Sequence, residues 1–274
     1  MILEGKTLKE KILNDLSKEV ELLKEKPTLV VIQVGNDEAS KVYVSQKEKM
    51  AKKININFIH ERLNNEVKEE ELINIINKYN YDDNVDGILV QMPLPKHINQ
   101  DNVQNAILAT KDVDGLTDVN AGKLLHNKDC LTACTSLGII ELLKYYNIEI
   151  ASKNVVIVGR SNLVSKPLYS LFLNENATVT ICHSKTKNLE NYTKNADILV
   201  VAVGKKHLIT RDMVKEQSII IDVGINRDNG KLYGDVDFEN IKDIASITPV
   251  PGGVGQMTVA MLGKNVLKAH NLKK

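Results

Sequence analysis

Short apolar runs alternate along the chain with longer stretches in which apolar residues recur at helical spacing. In the first half the apolar runs cover residues 28–34, 54–60 and 87–91, and the helical stretches cover residues 6–24, 39–53 and 66–79. Strands that alternate with helices form parallel sheets, because each crossover helix returns the chain to the same end of the sheet. The sequence therefore predicts an α/β fold.

A second series of apolar runs covers residues 154–158, 178–182, 198–203 and 218–223. At 274 residues the chain exceeds the usual size of one domain, so we predict two domains that flank a cleft. The predicted domains are residues 1–120 and residues 121–274, the second being a Rossmann-like nucleotide-binding sheet. We expect a last helix, at about residues 256–270, to pack back on the first domain.

The charge balance disfavours several classes of partner. Lys and Arg together number 36 and Asp and Glu 35, so no basic surplus favours binding to nucleic acid or to an anionic membrane. The apolar runs are much shorter than the ~20 residues of a membrane-spanning helix. The first residues, MILEGKTLKEK, lack the pattern of a secretory signal. We therefore expect a cytoplasmic protein that acts on a small molecule.

The three cysteines also favour a reducing compartment, because an odd number in a long chain does not make a disulfide framework. His126, Cys130 and Cys134 follow one another at four-residue steps. A structural zinc site usually has closely spaced cysteine pairs and a second ligand pair elsewhere, and the chain has neither. We predict that no metal is bound.

The segment VVIVGRSNLVSKP reads as a strand, a tight turn and the start of a helix. Backbone N–H groups at such a helix start bind the pyrophosphate of a dinucleotide. The generic G-x-G-x-x-G motif is incomplete, since Ser161 and Val164 stand beside Gly159 where two further glycines belong. An ordinary strand-to-helix turn is therefore the alternative.

The end of the next strand indicates which dinucleotide the turn would bind. An NAD site usually has Asp or Glu there to bind the ribose 2′-hydroxyl, whereas this chain reads ICHSKT. Ser184, Lys185 and the nearby Arg160 suit a 2′-phosphate, because a guanidinium forms two charge-assisted hydrogen bonds with it. We therefore predict NADP in preference to NAD, although solvated loop charges remain the alternative.

In the first half, Tyr43 and Lys47 stand four residues apart on a predicted helix and so project from one face. A lysine at a partly dry site loses stability as an ammonium ion and can then act as an acid or base near neutral pH. The alternative is that Lys47 is one of several solvated lysines on this helix.

Polar residues follow the strand GILVQ. Gln91 ends that strand, and ligands of open α/β sheets bind at the carboxyl ends of strands. Further along, KDVDGLTD gathers Asp112, Asp114 and Asp118 around Gly115. Such a segment is either a binding site or a turn whose aspartates bond to their own backbone.

Taken in order, Y-x-x-x-K, DGILVQMPLP, KDVDG, CT-x-x-G, VGRSNLV-x-x-P, CHSKT, IDVGIN, GDVDF and TPVPGGVG resemble one family, the bifunctional methylenetetrahydrofolate dehydrogenase/cyclohydrolases. The resemblance covers most of the chain. It implies a homodimeric enzyme of one-carbon metabolism that uses NADP to oxidise methylenetetrahydrofolate to methenyltetrahydrofolate. It also implies hydration of that product to formyltetrahydrofolate in the same cleft.

The same resemblance implies roles for individual residues. Lys47 matches the catalytic lysine of the family, Gln91 the glutamine that orients it, Tyr43 the tyrosine beside the folate ring and Asp114 the pterin-binding carboxylate. The positions that match the NADP site are Gly159, Arg160, Ser161, Ser184 and Ile225.

The chain departs from the family pattern at three positions. Ala133 stands where a proline is usual before Cys134, Ser165 replaces a glycine, and Gln256 replaces a proline before Met257. We expect Ser165 to matter most, because a side chain there can crowd the packing of the helix on the strand or the cofactor. Dehydrogenase activity would suffer more than folate binding.

Two other functions compete with this interpretation. Short-chain dehydrogenases also use a Y-x-x-x-K pair, but there the nucleotide-binding turn comes before the pair, whereas Gly159 follows Tyr43 and Lys47. A non-catalytic NADP-binding sensor or scaffold is the second rival. The joint presence of Lys47, Gln91 and Asp114 argues against it.

Overall fold

The computed structural model describes residues 1–273, in which ten α-helices and ten β-strands are formed. The elements of the first half are α1 (Lys6–Glu21), β1 (Thr28–Val34), α2 (Glu38–Lys53), β2 (Asn57–Leu63), α3 (Glu69–Asn80), β3 (Gly87–Gln91), α4 (Gln100–Asn105) and α5 (Asp118–Leu125). Those of the second half are α6 (Cys134–Tyr145), β4 (Asn154–Val158), α7 (Ser165–Asn174), β5 (Thr178–Cys182), α8 (Glu190–Thr193), β6 (Ile198–Val201), β7 (Ile219–Asp222), β8 (Asn226–Asp228), β9 (Lys231–Tyr233), α9 (Phe238–Ile241), β10 (Ser246–Ile247) and α10 (Val254–Asn271).

A three-stranded parallel sheet in the order β2-β1-β3 forms the centre of residues 10–134 and 259–274, which we call the three-stranded unit. Every residue of β1 and β3 is buried. Val30 and Ile32 of β1 share a core with Leu72 and Ile76 of α3 and Val103 of α4. Burial of apolar strands under helices is the main force that holds such a layer together.

A five-stranded sheet in the order β10-β7-β6-β4-β5 forms the centre of residues 1–9 and 135–258, the five-stranded unit. All its strands are parallel. Val155 and Ile157 of β4 belong to one apolar core, and Val156 and Val158 belong to another. Successive side chains of a strand point to opposite faces, so both faces of this sheet are covered. The predicted α/β class is confirmed.

Three predicted strands have different ends in the structure, and the run predicted as residues 218–223 is β7 (Ile219–Asp222), one residue shorter at each end. The run predicted as residues 54–60 begins as a strand only at Asn57, because α2 continues to Lys53 and Ile54 caps it. Asn55 then adopts a left-handed conformation with φ of 62°, which is typical of a residue just after a helix. The run predicted to reach residue 203 ends at Val201, and Val203 is 48 % exposed. Apolar character alone therefore misplaced these ends.

The two units divide the chain between Cys134 and Thr135, whereas the sequence places the boundary near residue 120. The backbone N–H of Cys134 donates to the carbonyl of Asp114 over 3.3 Å, which links this segment to the three-stranded unit. The first residues group with the five-stranded unit, where Leu3 N–H donates to the Ile247 carbonyl over 2.9 Å. Residues 259–274, most of α10, group with the three-stranded unit.

Within residues 1–273, none of the helices has both the length and the apolar character needed to cross a membrane.

Candidate active site

Tyr43 and Lys47 lie one turn apart on α2. This helix starts after Asp37, whose carboxylate accepts the backbone N–H of Ser40 over 2.7 Å and so caps the first turn. Lys47 is half-buried, whereas the ring of Tyr43 is 43 % exposed. The helix therefore presents an accessible ring beside a partly desolvated amine.

The Lys47 ammonium donates a hydrogen bond of 2.7 Å to Oε1 of Gln91. Gln91 is buried at the carboxyl end of β3, and its Nε2 donates to the carbonyl of Met92, also over 2.7 Å. Because that second bond uses the amide N–H, the amide oxygen is left facing the lysine. The structure thus joins two of the predicted site residues from separate elements.

Burial and the charge of Asp114 act in opposite directions on Lys47. Burial lowers the pKa of Lys47 from its usual value of 10.5, and the nearby Asp114 carboxylate opposes that change. Burial in turn raises the pKa of Asp114, against the attraction of Lys47. Burial also raises the pKa of the Cys134 thiol well above its usual value, so the thiol is neutral near pH 7 and Asp114 is the charge that matters.

The acidic segment after β3 is a shaped turn in which the aspartates have different tasks. Asp112 is fully buried and accepts the N–H groups of Gly115 and Thr117 over 3.0 and 2.8 Å, together with the Asn120 amide over 2.9 Å. Asp118 is exposed in the first turn of α5. Of these three aspartates, Asp114 is the one whose charge raises the pKa of Lys47.

Cys134 and Asn265 belong to this site. From the sequence, Cys134 is rejected as a metal ligand and matches the CT-x-x-G motif without an assigned role, and Asn265 is not singled out. The Cys134 thiol donates to the Val113 carbonyl over 3.2 Å. The Asn265 amide on α10 donates to the carbonyls of Val113 and Thr132 over 2.9 and 2.8 Å. Together they fix the backbone of Val113, just before Asp114, and that of Thr132. The CT pattern at the start of α6 was the available signal for Cys134.

Ala133, one of the departures from the family pattern, is buried in this segment. His126, Cys130 and Cys134, which follow one another at four-residue steps, do not form a metal-binding cluster. Across residues 1–273, no cluster of three His, Cys, Asp or Glu side chains is placed to hold a metal ion.

In the five-stranded unit, the turn between β4 and α7 starts at Gly159. This residue has φ of +136°, and an added Cβ would lie 2.5 Å from the Ala202 carbonyl oxygen, so only glycine fits. Ser161 is exposed, and its hydroxyl accepts the backbone N–H of Val164 over 3.2 Å just before α7. Arg160 is exposed beside it. The turn therefore packs closely against the backbone of Ala202 and carries an accessible cation, Arg160.

The remaining predicted cofactor residues follow other strands of the same sheet. Ser184 and Lys185 are exposed after β5, and Ile225 is 52 % exposed after β7. Since β4, β5 and β7 are parallel, these residues share the carboxyl edge of the sheet with Gly159. That edge is where open α/β sheets bind their ligands.

Ser165 and Gln256 have different surroundings. The Ser165 side chain is fully buried at the start of α7, and its hydroxyl has no hydrogen-bond partner among the described residues. A Cβ at Gly159 would lie 2.8 Å from that hydroxyl oxygen, so Ser165 fills the space beneath the glycine. Gln256 is half-buried and accepts a hydrogen bond of 3.0 Å from Lys9.

Two family models match the chain. The tetrahydrofolate dehydrogenase/cyclohydrolase catalytic domain matches residues 3–114, and the NAD(P)-binding domain of the same family matches residues 133–274. The chain belongs to the tetrahydrofolate dehydrogenase/cyclohydrolase family. The resemblance inferred from the order of motifs is thereby confirmed, and the chain is an enzyme with dehydrogenase and cyclohydrolase activities on tetrahydrofolate derivatives.

Individual members of the tetrahydrofolate dehydrogenase/cyclohydrolase family are similar to this chain over almost the full length of both proteins. The bifunctional protein FolD of Bacillus subtilis is 50 % identical over 98 % of this chain and 96 % of its own. The crystal structure of the bifunctional enzyme from Campylobacter jejuni is 44 % identical, with a TM-score of 0.98 over 100 % of this chain and 99 % of its own. The crystal structure of the Trypanosoma brucei enzyme, complexed with NADP cofactor and inhibitor, is 33 % identical in sequence. Its TM-score is 0.95, over 100 % of this chain and 98 % of its own.

Proposed function

We propose that the enzyme oxidises 5,10-methylenetetrahydrofolate with NADP and then hydrates the methenyl product to 10-formyltetrahydrofolate, with Lys47 as the catalytic acid and base. The observation that carries the proposal is the 2.7 Å hydrogen bond between Lys47 and the buried Gln91. A desolvated lysine held by a neutral acceptor can be deprotonated near neutral pH.

Hydration of the methenyl carbon requires proton transfers, which we assign to Lys47 with the support of Gln91. The methenyl carbon bears a positive charge shared with nitrogen, and water attacks it. Neutral Lys47 accepts one proton from that water and returns it to the folate nitrogen whose bond to the carbon breaks. The hydroxyl left on the carbon loses the second proton to solvent as the formyl C=O forms, so one proton is released overall. Gln91 accepts from the lysine throughout and keeps its amine oriented.

The pterin is held by Asp114, because a carboxylate accepts two parallel N–H bonds from an amino group and an adjacent ring nitrogen. Burial raises the pKa of Asp114, and the ammonium form of Lys47 opposes that rise and so favours the ionised carboxylate that the pairing needs. Tyr43 lies one helical turn from Lys47 with an exposed ring, and its task is to pack against the folate ring. These groups align the substrate, and alignment is most of what hydride loss requires.

The five-stranded unit would hold NADP. The residues fit NADP. The Gly159 turn packs closely against the backbone of Ala202, and the exposed residues at the carboxyl edge of the sheet are Arg160, Ser184 and Lys185. No acidic residue stands where an NAD site would bind the 2′-hydroxyl. When bound, NADP accepts the hydride lost from the methylene carbon.

The Lys47→Met variant tests the catalytic role, because it keeps much of the length and apolar character of the side chain but removes the amine. We expect cyclohydrolase activity to fall about 100-fold or more, the usual scale for acid–base catalysis, and dehydrogenase activity to fall less. The assays follow methenyltetrahydrofolate absorbance and NADPH formation. Substitution of Gln91 should add little to the loss in Lys47→Met, because both act on the same proton transfer.

Lys49→Met is the matched control, since Lys49 is an exposed lysine of the same helix. Both activities should survive in the control. Parental rates of methenyltetrahydrofolate hydration in Lys47→Met, measured over a range of pH and above the uncatalysed background, would contradict the proposal.

We also propose that the enzyme is a homodimer. Strand β2 lies at an edge of its sheet, and Ile59 on it is 38 % exposed. Unprotected edge strands pair readily with a second chain, and two-fold dimers are the commonest oligomers. Light scattering should give twice the chain mass of 30.5 kDa.

A cytoplasmic location completes the proposal. Cys130, Cys134 and Cys182 are all free thiols, as expected in a reducing compartment. Cell fractionation with detection of the protein tests it, and recovery in a secreted fraction would contradict it.

A further inference from the structure

Two buried carboxylates join the loops that follow β6 and β7 in the five-stranded unit. Asp235 is fully buried and accepts the backbone N–H groups of Val203, Gly204 and Lys205 over 2.7, 2.9 and 2.7 Å. It also accepts the side-chain amide of Asn226 over 2.9 Å. Three donors from the loop after β6 and one from Asn226, the first residue of β8, thus converge on one side chain.

The loop after β6 is bent into a nest, in which successive backbone N–H groups point to one anion. Gly204 permits this shape with its φ of +72°. The nest is filled by the protein's own carboxylate, so it is not a site for a phosphate of the cofactor. Asp235 instead fixes the conformation of a loop whose Val203 side chain is 48 % exposed.

Asp222 holds Asp235 in turn. Its carboxylate, at the end of β7, accepts the N–H groups of Asp235 and Val236, both over 2.9 Å, and that of Gly224 over 3.1 Å. A Cβ at Gly224 would lie 2.1 Å from Asp235 Cγ, and one at Gly234 would lie 1.8 Å from Asp222 Oδ2. Both glycines are therefore required for the carboxylates to come so close to the backbone.

The order of strands indicates what these loops face. If the pyrophosphate of NADP binds at the Gly159 turn after β4, and its adenosine half beside Ser184 after β5, the other half must extend over β6 and β7. Val203 and Ile225 are exposed apolar side chains there. These two side chains form an apolar surface against which a flat aromatic ring can pack.

We propose that Asp235 is a positioning residue for the nicotinamide half of NADP, acting through the loop of Val203, Gly204 and Lys205 and through Asn226. The inference rests on the proposed use of NADP. Burying a carboxylate is costly unless it is hydrogen-bonded. This one is bonded to the half-buried Asn226 and to a loop in which Val203 and Lys205 are exposed. Rigid loops with exposed apolar side chains lower the entropy cost of binding a ligand.

The test is Asp235→Asn, which keeps the size of the side chain but replaces an acceptor of two N–H groups by an amide nitrogen that cannot accept. We expect the Kd of NADP, measured by calorimetry, to rise about tenfold or more. The Kd of 2′,5′-ADP, which carries only the adenosine half with its 2′-phosphate, should stay within about twofold. Dehydrogenase kcat should fall, and hydration of added methenyltetrahydrofolate should not.

Asp197→Asn is the matched control, because Asp197 lies just before β6 at the opposite end of the strand, where it accepts the Asn154 N–H over 2.9 Å. It should leave both Kd values unchanged. Gly204→Ala is a second variant in case Asp235→Asn folds poorly. An added Cβ there meets no atom within 4 Å, but it disfavours the left-handed conformation of the nest. We expect the same pattern with a smaller change.

Equal weakening of NADP and 2′,5′-ADP, or loss of both activities together, would overturn the positioning role in favour of a purely structural one. So would unchanged NADP binding and kinetics in both variants. If the parental enzyme reduces NADP and any of these overturning results is found, only the proposed role of Asp235 fails. If the parental enzyme binds no NADP, the proposed function fails and the inference fails with it.

Discussion

At Lys47, desolvation and one neighbouring carboxylate act in opposite directions on the same ammonium group. Burial lowers the pKa of Lys47, and Asp114 raises it. Lys49, on the same helix, is exposed to solvent. The chemistry that we assign to Lys47 therefore comes from its surroundings, since its side chain is identical to that of its neighbour.

Labelling at different pH values measures this directly. We expect Lys47 in the parental protein to react with acetic anhydride with a midpoint below its usual pKa of 10.5. Removing the negative charge in Asp114→Asn should move the midpoint to still lower pH, because that charge stabilises the ammonium form. Mass spectrometry of the labelled peptide follows the reaction.

The control is Asp118→Asn, which removes an exposed carboxylate four residues away. It should leave the midpoint unchanged. A midpoint that rises in Asp114→Asn, or that does not move, would mean that Asp114 is not the charge that acts on Lys47.

Arg160 allows a second measurement at the scale of one residue. If its guanidinium binds the 2′-phosphate, Arg160→Ala should weaken NADP binding about tenfold or more and leave NAD binding nearly unchanged. Calorimetric titration with each dinucleotide checks this. Lys166→Ala, an exposed cation of α7, is the control. Equal weakening of both dinucleotides would show that Arg160 does not recognise the phosphate.

At the scale of elements, α10 contributes to the active-site segment through one buried side chain. Asn265 is 2 % exposed, and its amide satisfies the carbonyls of Val113 and Thr132. These carbonyls lie on the two segments that meet beside Asp114. The helix therefore stabilises a turn that is more than a hundred residues away in the chain.

Replacement of Asn265 by leucine keeps the size of the side chain and removes both donors. The half-buried Thr132 carbonyl then loses this donor and the buried Val113 carbonyl keeps only the Cys134 thiol, so we expect the free energy of unfolding to fall by about 1–3 kcal/mol. Urea denaturation measures the change. Asn271→Leu, at the exposed end of the same helix, should change stability little. Equal stability of the two variants would mean that the Asn265 bonds contribute nothing net.

At the scale of the whole molecule, the two units are proposed to bind different partners. Hydrogen exchange with mass spectrometry can separate them. NADP should slow exchange in peptides that cover residues 159–166 and 203–205, and tetrahydrofolate should slow it in peptides that cover residues 112–118. A ligand at 100 times its Kd stabilises its binding site by about 2.7 kcal/mol, which is enough to detect. Protection of residues 112–118 alone by NADP would contradict the assignment.

The sequence by itself determined the class of fold and the position of most strands. The strands β1, β3, β4 and β5 coincide with the predicted runs, because each is a short apolar segment enclosed by local helical patterns. It also placed Tyr43 and Lys47 on one helix. These features depend on periodicity over a few neighbouring residues, which the sequence displays directly.

Only the tertiary structure decided which polar residues meet. Lys47 and Gln91 are 44 positions apart, and Asp235 is 30 or more positions from the loop residues that donate to it. Asp112, Asp114 and Asp118 look alike in sequence. Asp112 shapes a turn, Asp114 raises the pKa of Lys47 through its charge, and Asp118 is exposed. Burial and hydrogen-bond partners depend on which distant segments pack together, and local patterns carry no information about that packing.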